Sequence, residues 1–284
     1  LLTISSTSSA QFPWQKPPPR SKKAVANILG PTTEKEPSRD LTIVWVWGID
    51  RTHAEGTHEF VKAKDLFVDL LKAVPRVTVD TAKLFPAKSQ WEKADLVVFY
   101  AQLQALKKQD FDLMDGYLRR GGGLIVIHAA MISSGDEVAQ RFGLAWDRKA
   151  TRWGVLPIPS KVNTKIDHEI FRGFPESIEL VDELYWNLGG DLNEITVLAT
   201  SQAGPPFALK GPPTPDQLDG KSWPLFWTKQ IGKGRVFGSI PGHNLFTFND
   251  AYFRIILLRA MAWAMNESFD PFKPLVTKGI KLRP

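Results

Sequence analysis

GLIVIHAA, residues 123–130, sets four branched aliphatic side chains in a row between a glycine triplet and a histidine. An apolar run with no polar alternation reads as a strand buried on both faces, as in the middle of a parallel sheet. Working outward, KKQDFDLMDGYLRR (107–120) has helical character, and Gly121–Gly123 suits a left-handed stop at its end. DLVVFY (95–100) and LTIVWVW (41–47) repeat the buried-strand pattern, and VTV (77–79) is a further short strand. Between them, residues 57–73 space Phe60, Val61, Phe67, Leu70 and Leu71 near helical period, closed by Pro75. A short helix is expected over 136–142, short strands near 178–185 and 194–200, a hairpin in PLFWTKQIGKGRVFGSI (224–240) and a closing helix over 249–265. Strands alternating with helices predict an α/β fold, with a mostly parallel central sheet covered on both faces.

The chain has 284 residues, 43% hydrophobic and 23% charged, ordinary for a folded domain of this size. No run approaches the roughly 20 apolar residues that cross a bilayer as a helix. With no cysteine there is no disulfide, thiolate metal site, iron–sulfur cluster or cysteine nucleophile. Of the net charge of +6, residues 1–40 hold six basic and three acidic side chains, and 267–284 four and two. The intervening 41–266 is close to neutral, so the surplus lies in the terminal segments and not in a nucleic-acid-binding face. Residues 1–40 divide into LLTISSTSSAQ, like the end of a secretory signal with its small-residue cleavage site, and a proline-rich arm. That beginning implies a periplasmic or secreted protein. Residues 41–266 form the domain and 267–284 a C-terminal tail.

In open α/β sheets, ligands bind beyond the carboxyl ends of the strands. LTIVWVW leads into Gly48, Asp50, His53, His58 and Glu59; DLVVFY ends on Tyr100; GLIVI leads to His128; GRVFGSI leads to Gly242, His243 and Asn244. Four of the five histidines thus follow strand ends on one rim. Asp182 and Glu183 are adjacent in a strand-like segment, so only one of them reaches a given pocket. GKGRVFG lacks dinucleotide spacing, the Gly121–Gly123 triplet precedes its strand, and no nucleophile elbow surrounds Ser133 and Ser134. His53 and His58 do not share a helical face, but a loop could gather them with Glu59 around zinc or manganese.

GGGLIVIHAA, DHEIFRGFPESIELVDELYW (167–186), IGKGRVFGSIPGH (231–243) and YFRIILLRAMAWA (252–264) resemble, in order and spacing, the trehalose-utilisation (ThuA-like) family over about residues 41–266. The resemblance implies a three-layer flavodoxin-like sandwich, similar to class I glutamine amidotransferases, without amidotransferase chemistry because no cysteine follows the central strand. It implies sugar metabolism alongside oxidoreductases that make 3-keto sugars, hence a functional link to a sugar 3-dehydrogenase. The family-like positions are His128, His168, Asp182, Glu183, Tyr185, Gly242 and His243, with Glu169 where proline often follows the family's Asp-His pair.

The expectation is therefore an enzyme acting on a disaccharide or 3-keto-sugar by His-mediated proton transfer, through isomerisation or elimination/hydrolysis. His128 and His243 form the acid/base pair, with Glu183 or Asp182 as orienter or second base. Trp47, Tyr100 and Tyr185 wall the sugar, and His53, His168 and Asn244 contact it. The alternatives are a non-catalytic carbohydrate-binding domain of a secreted protein and a metal-dependent hydrolase built on His53, His58 and Glu59. The partner is a small carbohydrate, with no nucleic acid and no membrane span, and a homo-oligomer is compatible with the sequence.

Overall fold

Branched and aromatic runs form the strands that position the site: β1 (Leu41–Trp47), β2 (Val77–Lys83), β3 (Leu96–Tyr100) and β4 (Gly123–Ile127). The computed structural model describes residues 16–103, 105–133, 135–156, 159–162, 167–202 and 221–284. The secretory-signal reading of the first residues and the irregular 203–220 segment therefore lie outside the described residues. Further along are β5 (Arg152–Leu156), β6 (Pro159–Val162), β7 (Ser177–Glu179), β8 (Asp182–Trp186), β9 (Thr196–Gln202), β10 (Ser222–Ile231) and β11 (Gly234–Ser239). Among the described residues, nine strands form one sheet in the order β2-β1-β3-β4-β11-β10-β9-β6-β7, while β5 and β8 form a separate antiparallel pair.

The first five strands in that order are parallel, with flavodoxin-like connectivity. Antiparallel pairing begins at β10, which a Gly-Lys-Gly turn joins to β11. Register aligns the carboxyl ends: Trp47 pairs with Tyr100, Phe99 with Val126 and Ile127 with Ser239. All five residues of β3 and all five of β4 are buried, as their unbroken apolarity requires.

Among the described residues the helices are α1 (Lys22–Leu29), α2 (Phe60–Leu71), α3 (Lys88–Lys93), α4 (Lys108–Arg119), α5 (Asp136–Phe142) and α6 (Ala251–Ala264). α2 packs on β1 and β2, and α6 on β4 and β11 with α1 against it; α4 contacts α3 on one side and α5 on the other, and α4 and α5 pack on β11. α4 stops where Gly121 takes φ +107°, the left-handed turn expected of the glycine triplet. α6 is buried nearly all round and starts at Asp250, whose carboxylate caps the Tyr252 and Phe253 amides. Among the described residues, no helix is long and apolar enough to cross a membrane.

Both terminal segments are docked where an arm and a tail were expected. α1 buries Val25 and Ile28, and Arg20 pairs with Asp250 at 2.8 Å. Beyond Glu267, Phe272, Leu275 and Val276 are buried, and the Lys22 amide donates to the Arg283 carbonyl. Apolar spacing in a segment as short as KKAVANIL is too sparse to announce a helix; tertiary packing supplies what propensity does not.

Candidate active site

The loop between β1 and α2 is organised by one carboxylate. Asp50 Oδ1 accepts from the Thr52 amide, the Thr52 hydroxyl and the His53 amide, an Asx turn that folds the chain back on itself. Its Oδ2 lies 2.6 Å from His53 Nδ1 and 2.8 Å from His58 Nδ1, so it holds two imidazoles at once. Burial alone would raise this carboxyl; the Thr52 amide and His58 outweigh burial and hold it well below the ordinary carboxylate range. The same loop is laced to the one after β11: the His58 amide donates to the His243 carbonyl, and the Leu245 amide to the Gly56 carbonyl.

His128 stands directly after β4 and opens a 3₁₀ turn, His128–Ile132, where the sequence suggested that the strand ran on. It takes φ +48°, uncommon for any residue with a side chain, as does His58. Such conformations persist where surrounding contacts fix them, often at functional sites. His128 Nδ1 donates to the Ile240 carbonyl at 2.7 Å, and its ring stacks on Tyr185. Close approach of the β11 turn requires Gly242: at φ +143°, a Cβ there would sit 2.6 Å from Ile127 Cγ2.

The adjacent carboxylates divide as strand alternation dictates. Glu183 Oε2 reaches inward, 3.2 Å from His128 Nε2 and 3.4 Å from His243 Nδ1. Asp182 instead accepts from the His243 amide at 2.9 Å, the Glu183 amide and the Thr247 hydroxyl. His128 Nε2 also meets His58 Nε2 at 3.1 Å, His243 Nδ1 at 3.3 Å and the Tyr185 hydroxyl at 2.8 Å. His58, His128, His243 and Glu183 each offer a donor atom within 4.8 Å of the others, all four side chains being buried.

Charge is unevenly held in this cluster. Burial would raise Glu183, but its contacts with His128 and His243 prevail and keep it well below its usual range. Burial would lower His243, and the Glu183 contact reverses that, so the ring is raised. Burial and then repulsion from the neighbouring imidazoles push His58 down to about 3. Only His53 reaches outward: its side chain is 40% exposed, against 2% for His58 and 0% for His128.

The structure thus gathers His128, His243, Glu183, Asp182, Tyr185 and His53, and changes some expected roles. Tyr100 is fully buried and donates its hydroxyl to the Gly242 carbonyl at 2.6 Å, a brace under the site and not a sugar wall. Trp47 lies beneath the Lys64 and Lys83 ammonium groups, at 5.0 and 5.9 Å. His168 packs 5.4 Å from Trp263, whose carbonyl is held by Arg235 at the start of β11, so it sits at the opposite end of the sheet. Glu59 accepts from the Gly56 amide and Lys62 and does not join His53 and His58; His58 turns instead toward His128. Asn244 is buried, and its amide nitrogen has no hydrogen-bond partner among the described residues. Sequence reading gave no role to Asp50; its signal was the Asp-x-Thr turn after a strand end.

Residues 44–264 match the family model ThuA, described as trehalose utilisation. The fold is similar to a ThuA-like protein from Bacteroides uniformis (19% identity, TM-score 0.61, 82% of this chain and 94% of that one). It is similar also to a ThuA-like protein from Parabacteroides merdae (18% identity, TM-score 0.59, 80% and 90%). A β-galactosidase from Rahnella sp. R3 shares the fold over 32% of its length (13% identity, TM-score 0.51, 81% of this chain). A search of curated proteins finds no significant match. The family match spans the strands, helices and loops that build the histidine cluster, and the chain belongs to the ThuA, trehalose-utilisation, family.

Proposed function

We propose that the protein is a sugar-metabolising enzyme that transfers a proton on a disaccharide or 3-keto-sugar, by isomerisation or by elimination and hydration at the glycosidic carbon. The observation that carries this reading is the Asp50–His53 dyad beside the buried cluster: His53 Nδ1 is held by Asp50 at 2.6 Å, which leaves Nε2 to meet a substrate. A carboxylate that fixes an imidazole's tautomer and orientation prepares it as a general base. His128 and His243, read from sequence as the acid/base pair, are buried, so the geometry favours His53 for the first proton.

On a 3-keto-sugar, His53 takes the proton from the carbon next to the carbonyl, and the electron pair moves onto the carbonyl oxygen. The His243 ring, whose proton the Glu183 contact favours, is the donor of the cluster toward that oxygen as charge develops, the kind of preorganised stabilisation worth most in a water-poor site. Reprotonation at the neighbouring carbon gives isomerisation. Expulsion of the glycosidic oxygen, with the proton returned to the leaving group, gives elimination, and water then adds to the product. His53, which took the proton, returns it, while Glu183 stays ionised against His243.

The test is deuterium exchange followed by NMR, on trehalose, other disaccharides and their 3-keto forms. Wild-type protein should exchange the hydrogen next to the carbonyl and release monosaccharide, and His53→Asn should lose both activities by roughly 10²–10⁴-fold. Sugar binding by calorimetry with neither exchange nor product would overturn the reading in favour of a carbohydrate-binding protein.

A further inference from the structure

We propose that His58, His128, His243 and Glu183 bind a divalent transition metal, zinc above all, in place of the His53–His58–Glu59 set that the sequence suggested. The inference deepens the proposed reading of the same site but rests on donor geometry alone.

The tautomers come first. The Ile240 carbonyl can only accept, so His128 Nδ1 carries the hydrogen and Nε2 bears a lone pair. His58 Nδ1 likewise donates to the Asp50 carboxylate, which leaves its Nε2 as a lone pair. These two lone pairs face each other at 3.1 Å, with Glu183 Oε2 at 3.2 Å and His243 Nδ1 at 3.3 Å from His128 Nε2. Two imidazole lone pairs and a carboxylate oxygen converging at such distances inside the protein repel unless a positive charge lies among them; the His243 proton shared with Glu183 fills that place in the metal-free protein, and a metal ion would displace it.

The spacing then fits. Zinc bonds of about 2.0–2.2 Å to nitrogen and carboxylate oxygen put tetrahedral ligand atoms roughly 3.3–3.5 Å apart. Four of the six separations among these donor atoms run from 3.1 to 3.4 Å. Three imidazoles and one carboxylate, with no thiolate in the chain, form a donor set suited to zinc, with manganese as the oxygen-preferring competitor. The outer partners are also those of metal-binding histidines: His58 donates its other N–H to a carboxylate and His128 to a main-chain carbonyl. The four ligands come from three strand-end loops and β8, parts of the chain that the fold brings together beyond the sheet.

The experiment uses the full chain, stripped with chelator and titrated with zinc, manganese or cobalt(II) alone. Zinc should bind at about one equivalent, raise the melting temperature and be lost in Glu183→Gln and His58→Asn, while His53→Asn keeps it. Cobalt(II) should give the intense visible bands of a four-coordinate nitrogen/oxygen site in the wild-type protein, a readout that needs no variant to fold. Wild-type protein that binds none of the three ions overturns the proposal, as does undiminished binding by folded His58→Asn. Metal bound without sugar turnover sinks the proposed function and leaves the metal site standing; turnover by a protein that takes no metal does the reverse.

Discussion

Asp182 holds the backbone of His243, not its ring: the His243 amide donates to Asp182 Oδ1 at 2.9 Å, across 61 residues of chain. The same carboxylate takes the Glu183 amide and the Thr247 hydroxyl, so one buried group ties β8 to the loop after β11. Asp182 is therefore a positioning residue for two groups of the cluster. Asp182→Asn keeps the volume but sets an NH₂ where donors already point, and a buried donor without an acceptor costs about 1–3 kcal/mol. The expected result is a melting temperature lower by several degrees, with faster hydrogen exchange at the His243 amide. Exchange there equal to the wild-type rate would show that the loop is held by other contacts.

The left-handed backbone at His128 gives a second, separable prediction. Asn accepts φ +48° readily, whereas a β-branched side chain does not. His128→Asn should fold, while losing the ring that meets His58, His243 and Tyr185, and sugar turnover should fall by at least about 10²-fold. His128→Val should lose the same activity and, in addition, about 1–2 kcal/mol of stability from the backbone alone. Thermal unfolding of the two variants side by side checks this; equal stability would mean that the strain is not felt.

The strands and their ends were legible because β1, β3 and β4 are covered on both faces and so are almost wholly apolar. The histidines following those strands identified the rim for the same reason. Which atoms meet on that rim was not legible. His58 could be assigned to Glu59 from proximity in sequence, yet a left-handed turn at His58 rotates the ring toward His128, 70 residues away. Tyr100 read as a sugar wall because strand ends usually open to solvent, but the loop carrying Gly242 closes over it. His168 follows no strand of the parallel sheet, and tertiary packing places it near Trp263. Alternation did separate Asp182 from Glu183, since in a strand a one-residue step changes the face.

Asp270 couples acid stability to the N-terminal segment. Its carboxylate accepts from the Thr33 amide and hydroxyl and the Glu34 amide, and pairs with Lys273. Burial would raise it; the Lys273 and Thr33 contacts outweigh that and hold it below the ordinary range. A carboxyl lowered by folding stabilises the native state above its unfolded value of about 3.9, and that contribution is lost as pH falls toward the folded value. Asp270→Asn should thus be less stable than wild type at pH 7, and the gap in melting temperature should narrow below about pH 4. A gap independent of pH from 7 to 3 would show that shape, not charge, makes the contact.

The last prediction concerns α1, a segment the sequence presents as an arm. Ile28 is 6% exposed, its carbonyl accepts from Arg259 Nη2 at 2.6 Å, and Arg259 is itself buried with its other contacts on the Ile170 and Arg172 carbonyls. A buried guanidinium needs its acceptors, so undocking α1 would strand a charge as well as expose Val25 and Ile28. Ile28→Ala should cost about 2–5 kcal/mol, the range for a large-to-small change in a packed core. Lys23→Ala, on the exposed face of the same helix, should stay within about 0.5 kcal/mol. Chemical denaturation of both variants decides the matter: if Ile28→Ala is as stable as Lys23→Ala, α1 is an arm after all, and the domain begins at β1.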